Sequence, residues 1–242
     1  MTITVSTALS GVRACVFDAY GTLLDLASAV EPHAAALGEA APRLLALWRA
    51  KQLEYTWLRT LMERHADFAR VTEDALECAC AALDIQDLSL RRRLLTGFLE
   101  LAAYPDAAQM LRRLRARGLR TAVLSNGTPA MLEKAFARAG LASLLDSVLS
   151  VETVGFYKPS PRVYHFAAEA LGLERGELLF VSANAWDAAG AASAGLRAVW
   201  VNRAGAPPER LPVGPAFTLR ALGEVPALLG AAPEGPPGPV AA

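Results

Sequence analysis

The chain has 242 residues and no formal net charge, and 53% of its residues are hydrophobic against 20% charged. This composition is typical of a globular protein with a sizeable core. Balanced charge gives no electrostatic reason to expect a nucleic acid or an acidic membrane surface as partner. No apolar run has the length of a membrane span and no secretory signal begins the chain, so we expect a cytoplasmic protein.

The first element is a predicted strand over residues 12–17, followed at once by Asp18 and by a turn at Gly21 and Thr22. Its apolar run is typical of a strand covered on both faces. Ligands of open parallel sheets bind beyond the carboxyl ends of the strands, so Asp18 is predicted to lie where chemistry occurs. Thr22 can donate a hydroxyl hydrogen bond toward it. Taken alone, the segment also fits an aspartate that merely caps a turn.

A long stretch over residues 26–103 follows, with helical periodicity and no convincing strand. Good helix formers dominate it, and Pro32, Pro42 and residues 84–87 interrupt the pattern. We therefore predict a helical subdomain inserted after the first strand.

From Pro105 onward, helical and strand patterns alternate, which predicts a parallel sheet with helices on both faces. The predicted strands cover residues 120–124, 147–151, 178–181 and 198–201, with a short one near Phe217. The predicted helices cover residues 107–117, 129–139, 161–171 and 186–194. Right-handed crossovers bring the carboxyl ends of the strands to one edge of the sheet.

The predicted fold class is α/β, with a Rossmann-like doubly wound parallel sheet. Its core domain comprises residues 11–25 and 104–229, and the helical insert comprises residues 26–103. Flexible termini are expected at residues 1–10 and 230–242, the second because it is rich in Pro, Gly and Ala. Cys15, Cys78 and Cys80 are too few and too irregularly spaced for a disulfide framework.

Four strand ends carry polar residues, in the order Asp18, Ser125-Asn126, Lys158 and a segment ending at Asp187. This order resembles the haloacid dehalogenase superfamily over nearly the whole chain, and the helical insert resembles that superfamily's cap domain. Most members are Mg²⁺-dependent phosphohydrolases. The chain departs from the phosphatases at two positions, because Tyr20 replaces their general acid/base Asp and Ala183 replaces an acidic Mg²⁺ ligand. Since Mg²⁺ prefers carboxylate oxygens, we expect a metal-free site without a cofactor.

Within the superfamily, the chain is most similar to the L-2-haloacid dehalogenases. The matching segments are residues 17–23 (FDAYGTL), 47–59 (LWRAKQLEYTWLR), 124–127 (LSNG), 158–159 (KP) with Tyr164, and 182–187 (SANAWD). Ala183 is again a departure, because the family usually has Ser there. The resemblance implies hydrolysis of short-chain L-2-haloacids to 2-hydroxy acids with inversion, through an aspartyl ester and without a metal.

In this family the residue matching Asp18 is the nucleophile. The resemblance implies that Lys158 keeps Asp18 ionised and oriented, with Thr22 and Ser182 as hydroxyl donors. Asp187, together with Asn184, is expected to position or activate the hydrolytic water, and which group acts as base is open.

The remaining implied roles concern substrate and halide. Ser125 and Asn126 would bind the substrate carboxylate with backbone N–H groups at the start of the next helix, although either could simply cap that helix. Arg49 would hold the departing halide together with Asn126. On residue type alone, Arg49 would be a solvated charge. Further positions are expected to wall the pocket or to support Lys158 or Asp187. The wall residues are Tyr20, Leu53, Phe68 and Trp186, and the supporting residue is Tyr164.

Two other functions fit the same pattern less well. One is a Mg²⁺-dependent phosphatase of the superfamily, against which Tyr20 and Ala183 argue. The other is a binding protein that keeps the fold without turnover, against which the intact motifs argue. No histidine lies in a recognised motif, so no His–Asp relay is assigned. The expected partners are a small-molecule 2-haloacid and, from the resemblance, a second copy in a homodimer.

Overall fold

A computed structural model describes residues 9–229 of the chain. Its strands, in chain order, are β1 (Ala14–Phe17), β2 (Leu24–Asp25), β3 (Ala102–Ala103), β4 (Arg120–Ser125), β5 (Ser147–Ser150), β6 (Leu178–Ser182), β7 (Arg197–Val201) and β8 (Phe217–Leu219). Six of them form a parallel sheet in the order β5-β4-β1-β6-β7-β8. The predicted α/β class is confirmed, including the short strand at Phe217.

The first strand lies in the middle of this sheet. Phe17 of β1 pairs with Val123 of β4 on one side and with Val181 of β6 on the other. Every residue of β1 is fully buried, as its apolar run predicts. The strand order reverses direction at β1, and open α/β sheets bind ligands at such a point, beyond the carboxyl ends. Asp18 therefore follows directly at the edge where a site is expected.

Helices connect these strands and form the insert. They are α1 (Ala34–Leu37), α2 (Ala40–Leu61), α3 (Phe68–Ala82), α4 (Leu88–Phe98), α5 (Ala107–Arg115), α6 (Pro129–Arg138), α7 (Pro161–Leu171), α8 (Ala185–Ser193) and α9 (Val225–Leu228). Helices α5 to α8 match the four predicted helices within two residues at each end. None of the helices within residues 9–229 is both long and apolar enough to cross a bilayer.

Helices α1 to α4 form the insert predicted after the first strand. The long helix α2 buries one stripe, Leu44, Trp48, Gln52 and Thr56, whose spacing of four residues keeps them on one face. This stripe packs against α3, where Trp48 Nε1 donates to the carbonyl of Thr72 at 2.9 Å. The exact division of the chain into core and insert stays a prediction.

The expectation that residues 26–103 contain no strand is wrong at one place. Strand β3 pairs antiparallel with β2, so that Leu24 faces Ala103 and Asp25 faces Ala102. Two-residue strands are too short to show an alternating pattern, which is why the sequence does not reveal them. The pair holds together the two chain segments that lead into and out of the insert.

The predicted flexible termini fall mostly on residues 1–8 and 230–242, which lie outside the described residues. Two residues of the predicted N-terminal lead are described and are ordered by contacts. Leu9 is buried in the hydrophobic core, and the carbonyl of Ser10 accepts a hydrogen bond from Arg197 Nη1 at 2.7 Å. Leu9 and Ser10 therefore do not form part of a loose lead.

Candidate active site

The carboxylate of Asp18 lies at the end of β1 and is held by three donors. One oxygen, Oδ2, accepts hydrogen bonds from Thr22 Oγ1 at 2.9 Å and from Asn184 Nδ2 at 2.8 Å. The other, Oδ1, lies 3.1 Å from Lys158 Nζ. The backbone N–H of Asp18 donates to Val181 O at 3.0 Å, which continues the sheet ladder into the site. The side chain is only 8% exposed, and these contacts fix its orientation.

The turn after β1 places Thr22 against Asp18. Gly21 has a φ of 86°, in the left-handed region that favours glycine, and its N–H donates to Leu24 O at 2.8 Å. Thr22 Oγ1 accepts a hydrogen bond from Ala183 N at 2.8 Å while donating to Asp18. One hydroxyl therefore joins the ends of two neighbouring strands, β1 and β6.

Arg203, a residue that the sequence analysis did not single out, holds the same turn from the other side. Its guanidinium donates to Gly21 O at 3.1 Å and to Thr22 O at 2.9 Å. It also lies 3.8 Å from the centre of the Tyr104 ring. Arg203 follows β7 at the carboxyl edge of the sheet, but no local motif distinguishes it from a surface arginine.

Lys158 is a buried cation between two carboxylates. Its Nζ lies 3.1 Å from Asp18 Oδ1 and 3.0 Å from Asp187 Oδ2, and the side chain is 1% exposed. The ammonium also sits 4.9 Å from the centre of the Phe180 ring. A buried ammonium is stable only when its charge is compensated, and here two carboxylates compensate it. The structure thus brings Lys158 to Asp18, as the resemblance implies.

Asp187 is fully buried on the first turn of α8. Its Oδ1 accepts a hydrogen bond from Tyr164 Oη at 2.7 Å, which resolves the open choice of Tyr164's partner in favour of Asp187. Burial raises the pKa of Asp187 to about 6, although Lys158 and Tyr164 act in the opposite direction. Gly190 makes this contact possible, because a Cβ there would lie 2.7 Å from Tyr164 Oη.

The predicted role of Ser182 as a donor to Asp18 is corrected by the geometry. Its Oγ accepts a hydrogen bond from Asn184 N at 3.1 Å, and the second neutral donor on Asp18 is Asn184 instead. Asn184 Nδ2 also donates to Tyr20 O at 3.3 Å. Ser182 is the last residue of β6, and Asn184 precedes the first residue of α8. The path of the backbone between β6 and α8 decides which of the two side chains reaches the carboxylate of Asp18.

The loop after β4 carries Ser125 and Asn126. Ser125 Oγ accepts from Gly127 N at 3.1 Å, and Asn126 Oδ1 accepts from Lys158 N at 3.2 Å. The amide of Asn126 is thereby oriented, with its NH₂ end left as a donor. Neither residue caps α6, because Thr128 does so by accepting from Met131 N at 3.2 Å. The capping alternative for Ser125 and Asn126 is therefore wrong.

Arg49 extends from α2 toward the carboxylates of the core. Burial lowers the pKa of its guanidinium, whereas the charges of Asp18 and Asp187 act to raise it. Its Nη1 donates to Gln52 Oε1 at 2.7 Å. Arg49 is therefore not a solvated surface charge, and the insert contributes a second cation near Asp18.

Aromatic side chains, including those expected to wall the pocket, pack against one another beside the site. Tyr20 stacks on Phe98 with ring centres 5.1 Å apart and contacts Phe68 at 5.4 Å. Phe98, on α4, was not predicted, because a Phe in an amphipathic helix carries no signal beyond core packing. Trp186 meets Trp57 edge-on at 5.4 Å, and the half-buried Leu53 lies one turn beyond Arg49 on α2. The hydroxyl of Tyr20 is buried and has no hydrogen-bond partner among residues 9–229.

The donor set around Asp18 does not fit Mg²⁺. Magnesium is held through oxygen ligands, usually with carboxylates, and here an ammonium is bonded to both Asp18 and Asp187. Ala183, in place of a carboxylate, contributes only its backbone to Thr22 and to Trp200 Nε1. Within residues 9–229, no cluster of three His, Cys, Asp or Glu side chains has the spacing of a metal site.

The model of the haloacid dehalogenase-like hydrolase family matches residues 12–195. The chain is 48% identical over 202 residues to (S)-2-haloacid dehalogenase 4A of Burkholderia cepacia, covering 83% of this chain and 87% of that protein. The crystal structure of a dehalogenase superposes with a TM-score of 0.90 at 45% identity, covering 92% of this chain and 99% of that chain.

The chain is also similar to the L-2-haloacid dehalogenase of Xanthobacter autotrophicus, in a structure with chloropropionic acid covalently bound. It superposes with a TM-score of 0.83 at 37% identity, covering 90% of this chain and 98% of that one. The family model, the identity over most of the chain and the shared fold agree. This chain belongs to the haloacid dehalogenase-like hydrolases and, within them, to the group of the (S)-2-haloacid dehalogenases.

Proposed function

We propose that this protein hydrolyses short-chain L-2-haloacids to 2-hydroxy acids, with inversion at C2, through an ester on Asp18 and without a metal ion. The observation that carries the proposal is the buried ammonium of Lys158, ion-paired with Asp18 and Asp187, together with Tyr20 and Ala183 at the two positions where the phosphatases carry carboxylates. The covalent chloropropionate adduct of a relative with the same fold supports an ester intermediate.

In the first step, a carboxylate oxygen of Asp18 attacks C2 of the substrate from the side opposite the halogen. The new C–O bond forms as the carbon–halogen bond breaks, and the halide leaves with the bonding electron pair, so C2 inverts. Two negative charges meet in this step, the substrate carboxylate and Asp18. The cations Lys158 and Arg49 offset that repulsion.

Two groups of donors orient the substrate. Ser125 and the backbone N–H groups of its loop bind the substrate carboxylate, and the buried hydroxyl of Tyr20 adds a donor. Arg49 and the NH₂ group of Asn126 stabilise the departing halide. Stabilisation of charge as it develops is commonly the largest single contribution to catalysis.

In the second step, water adds to the carbonyl carbon of the Asp18 ester. Thr22 and Asn184 both donate to Oδ2 and are therefore placed to stabilise negative charge on that oxygen. Asp187 takes the proton from the attacking water. The ester C–O bond then breaks, and the leaving oxygen takes the second proton of that water, which gives the 2-hydroxy acid and restores the Asp18 carboxylate, while Asp187 releases the first proton to solvent. Overall, haloacid and water give hydroxy acid, halide and a proton.

A homodimer through helices of the insert or the core and a cytoplasmic location stay predictions. The family resemblance supports the homodimer.

The proposal is tested by measuring halide release from L- and D-2-chloropropionate, each in the presence of EDTA. We expect turnover of the L enantiomer only, with no effect of EDTA, because attack by Asp18 needs a fixed face of C2 and no metal. A generic phosphoester with Mg²⁺ is the matched control and should not be hydrolysed. Phosphoester hydrolysis that EDTA abolishes and Mg²⁺ restores would instead identify a phosphatase.

Turnover is expected to fall as the pH drops below about 6, because Asp187 must be ionised to accept a proton from water. The decline should approach about tenfold per pH unit. At about pH 5, rapid mixing should release a burst of about one halide per active site, since ester formation needs no base. A flat pH profile in this range would exclude Asp187 as the base.

The way in which titration of Asp187 changes stability distinguishes this loss of activity from unfolding of the protein. The folded-state pKa of Asp187 lies above its ordinary value of 3.8, so protonation favours the fold. Its contribution to stability is complete below the ordinary pKa and is lost as the pH rises through about 6. Titration of Asp187 therefore does not unfold the protein in the range where activity declines.

A further inference from the structure

Gln52 lies on the buried stripe of α2 and is fully buried, although it is polar. Both ends of its amide are bonded. Oε1 accepts from Arg49 Nη1 at 2.7 Å, and Nε2 donates to Thr72 Oγ1 of α3 at 2.7 Å. Thr72 Oγ1 in turn donates to Phe68 O at 2.6 Å. A hydrogen-bonded chain therefore leads from the guanidinium of Arg49 to the first turn of α3.

The hydrogen bonds from Arg49 to Phe68 can run in only one direction, from donor to acceptor. A guanidinium can only donate, so the carbonyl end of Gln52 must face Arg49 and its NH₂ end must face Thr72. The hydroxyl hydrogen of Thr72 is used on Phe68 O, so that oxygen can only accept from Gln52. A carboxylate at position 52 would lose the second bond, and an apolar side chain would lose both.

We propose that Gln52 is a positioning residue that directs Arg49 toward the departing halide. The inference rests on the proposed dehalogenase function and deepens it. An arginine side chain loses substantial rotamer freedom when it is fixed, and Gln52 supplies that restraint before substrate binds. Gln52 is neutral, so it orients the guanidinium without compensating its charge. The full positive charge of Arg49 then remains for the halide.

The test compares Gln52→Glu and Gln52→Met with the matched control Thr56→Val. Glu keeps the length of the side chain but its negative charge neutralises that of Arg49. Met keeps the length of the side chain but removes the oxygen that accepts the hydrogen bond from Arg49. Thr56 is buried on the same stripe and donates only to Leu53 O, so its variant removes a polar group without a link to Arg49. For each protein, halide release is measured in a single turnover with L-2-chloropropionate and L-2-bromopropionate, and chloride inhibition is measured in steady state.

Both Gln52 variants are expected to slow halide release by about tenfold or more and to weaken chloride inhibition, because a charge-assisted contact is misdirected or neutralised. Chloride is the poorer leaving group and depends more on Arg49, so the ratio of the chloride to the bromide rate should fall. A merely structural role would lower both rates equally. The Thr56 variant should keep the wild-type ratio.

An unchanged ratio together with unchanged chloride inhibition in both Gln52 variants would overturn the proposal. If either variant fails to fold, Thr72→Val replaces it, because loss of the Thr72 hydroxyl releases the far end of Gln52. It should shift the ratio in the same direction by a smaller factor, and an unchanged ratio there would also contradict the role of Gln52. Failure of the dehalogenase function itself is distinguishable, because the wild-type protein would then release no halide.

Discussion

Asp18→Asn is expected to reduce halide release at least about a thousandfold, because an amide cannot attack C2 as a carboxylate does. The variant should fold normally. Lys158 keeps its second partner, Asp187, at 3.0 Å, so no buried charge is left uncompensated. The measurement is halide release from L-2-chloropropionate, with circular dichroism and thermal unfolding as checks of the fold.

Asp25→Asn is the matched control for this change. Asp25 follows in the same segment, and its Oδ1 accepts from Ala27 N at 3.0 Å at the start of a short 3-10 turn. Asparagine can accept the same hydrogen bond, so activity and stability should both be retained. Wild-type turnover by the Asp18 variant would remove Asp18 from its proposed role.

A single turnover in ¹⁸O-water, with enzyme in excess, provides an independent readout of the same carboxylate. Water attacks the carbonyl carbon of the ester, so the label should enter Asp18 while the hydroxy acid receives the original Asp18 oxygen. Peptide mass spectrometry locates the label. Direct appearance of ¹⁸O in the product would instead show that water attacks C2.

Lys158→Met is expected to lower both activity and stability. Without the ammonium, the buried carboxylates of Asp18 and Asp187 lose the ion-pair partner that they share, which should destabilise the fold by about 3–5 kcal/mol. Halide release should fall at least about a hundredfold, because Asp18 loses the contact that orients it and the site loses a cation that offsets the substrate charge. Urea unfolding and single-turnover kinetics measure the two effects.

The pH dependence of this variant should identify the cause. Lys158 acts to lower the pKa of Asp187, so its loss should raise that pKa further, and stability should be regained as the pH falls and Asp187 is protonated. Lys134→Met is the control, because Lys134 pairs with Glu100 at 3.0 Å on the surface and its loss should change stability little. Equal stability of the Lys158 variant and the wild type at neutral pH would contradict this account of the buried charges.

Much of the site could be predicted from local sequence. The run that ends in Asp18 has the pattern of a covered strand, and the alternation after Pro105 predicts a parallel sheet whose carboxyl ends meet. Those two features place Asp18 and the loop of Ser125 at one edge. The resemblance of the later motifs then adds Lys158 and Asp187, and the structure brings both to Asp18.

Other features carry no local signal. Beside Thr22, the second neutral donor to Asp18 is Asn184 and not Ser182, and the path of the turn after β6 decides which of the two reaches the carboxylate. Arg203 donates to the carbonyls of Gly21 and Thr22 and so stabilises that turn. Gln52 accepts from Arg49, although its place on the buried stripe of α2 predicts only core packing. Each is an ordinary residue type in an ordinary local pattern.

By itself, the sequence of this protein determined the strand pattern, the position of Asp18 at a strand end and the presence of Tyr20 and Ala183 where the phosphatases carry carboxylates. Those properties depend on residues near one another in the chain, where backbone geometry and side-chain period decide the outcome. Only the tertiary structure decided which donors reach Asp18 and what orients Arg49. These contacts join segments far apart in sequence, such as Asp18 and Lys158, and packing alone selects among equally suitable side chains.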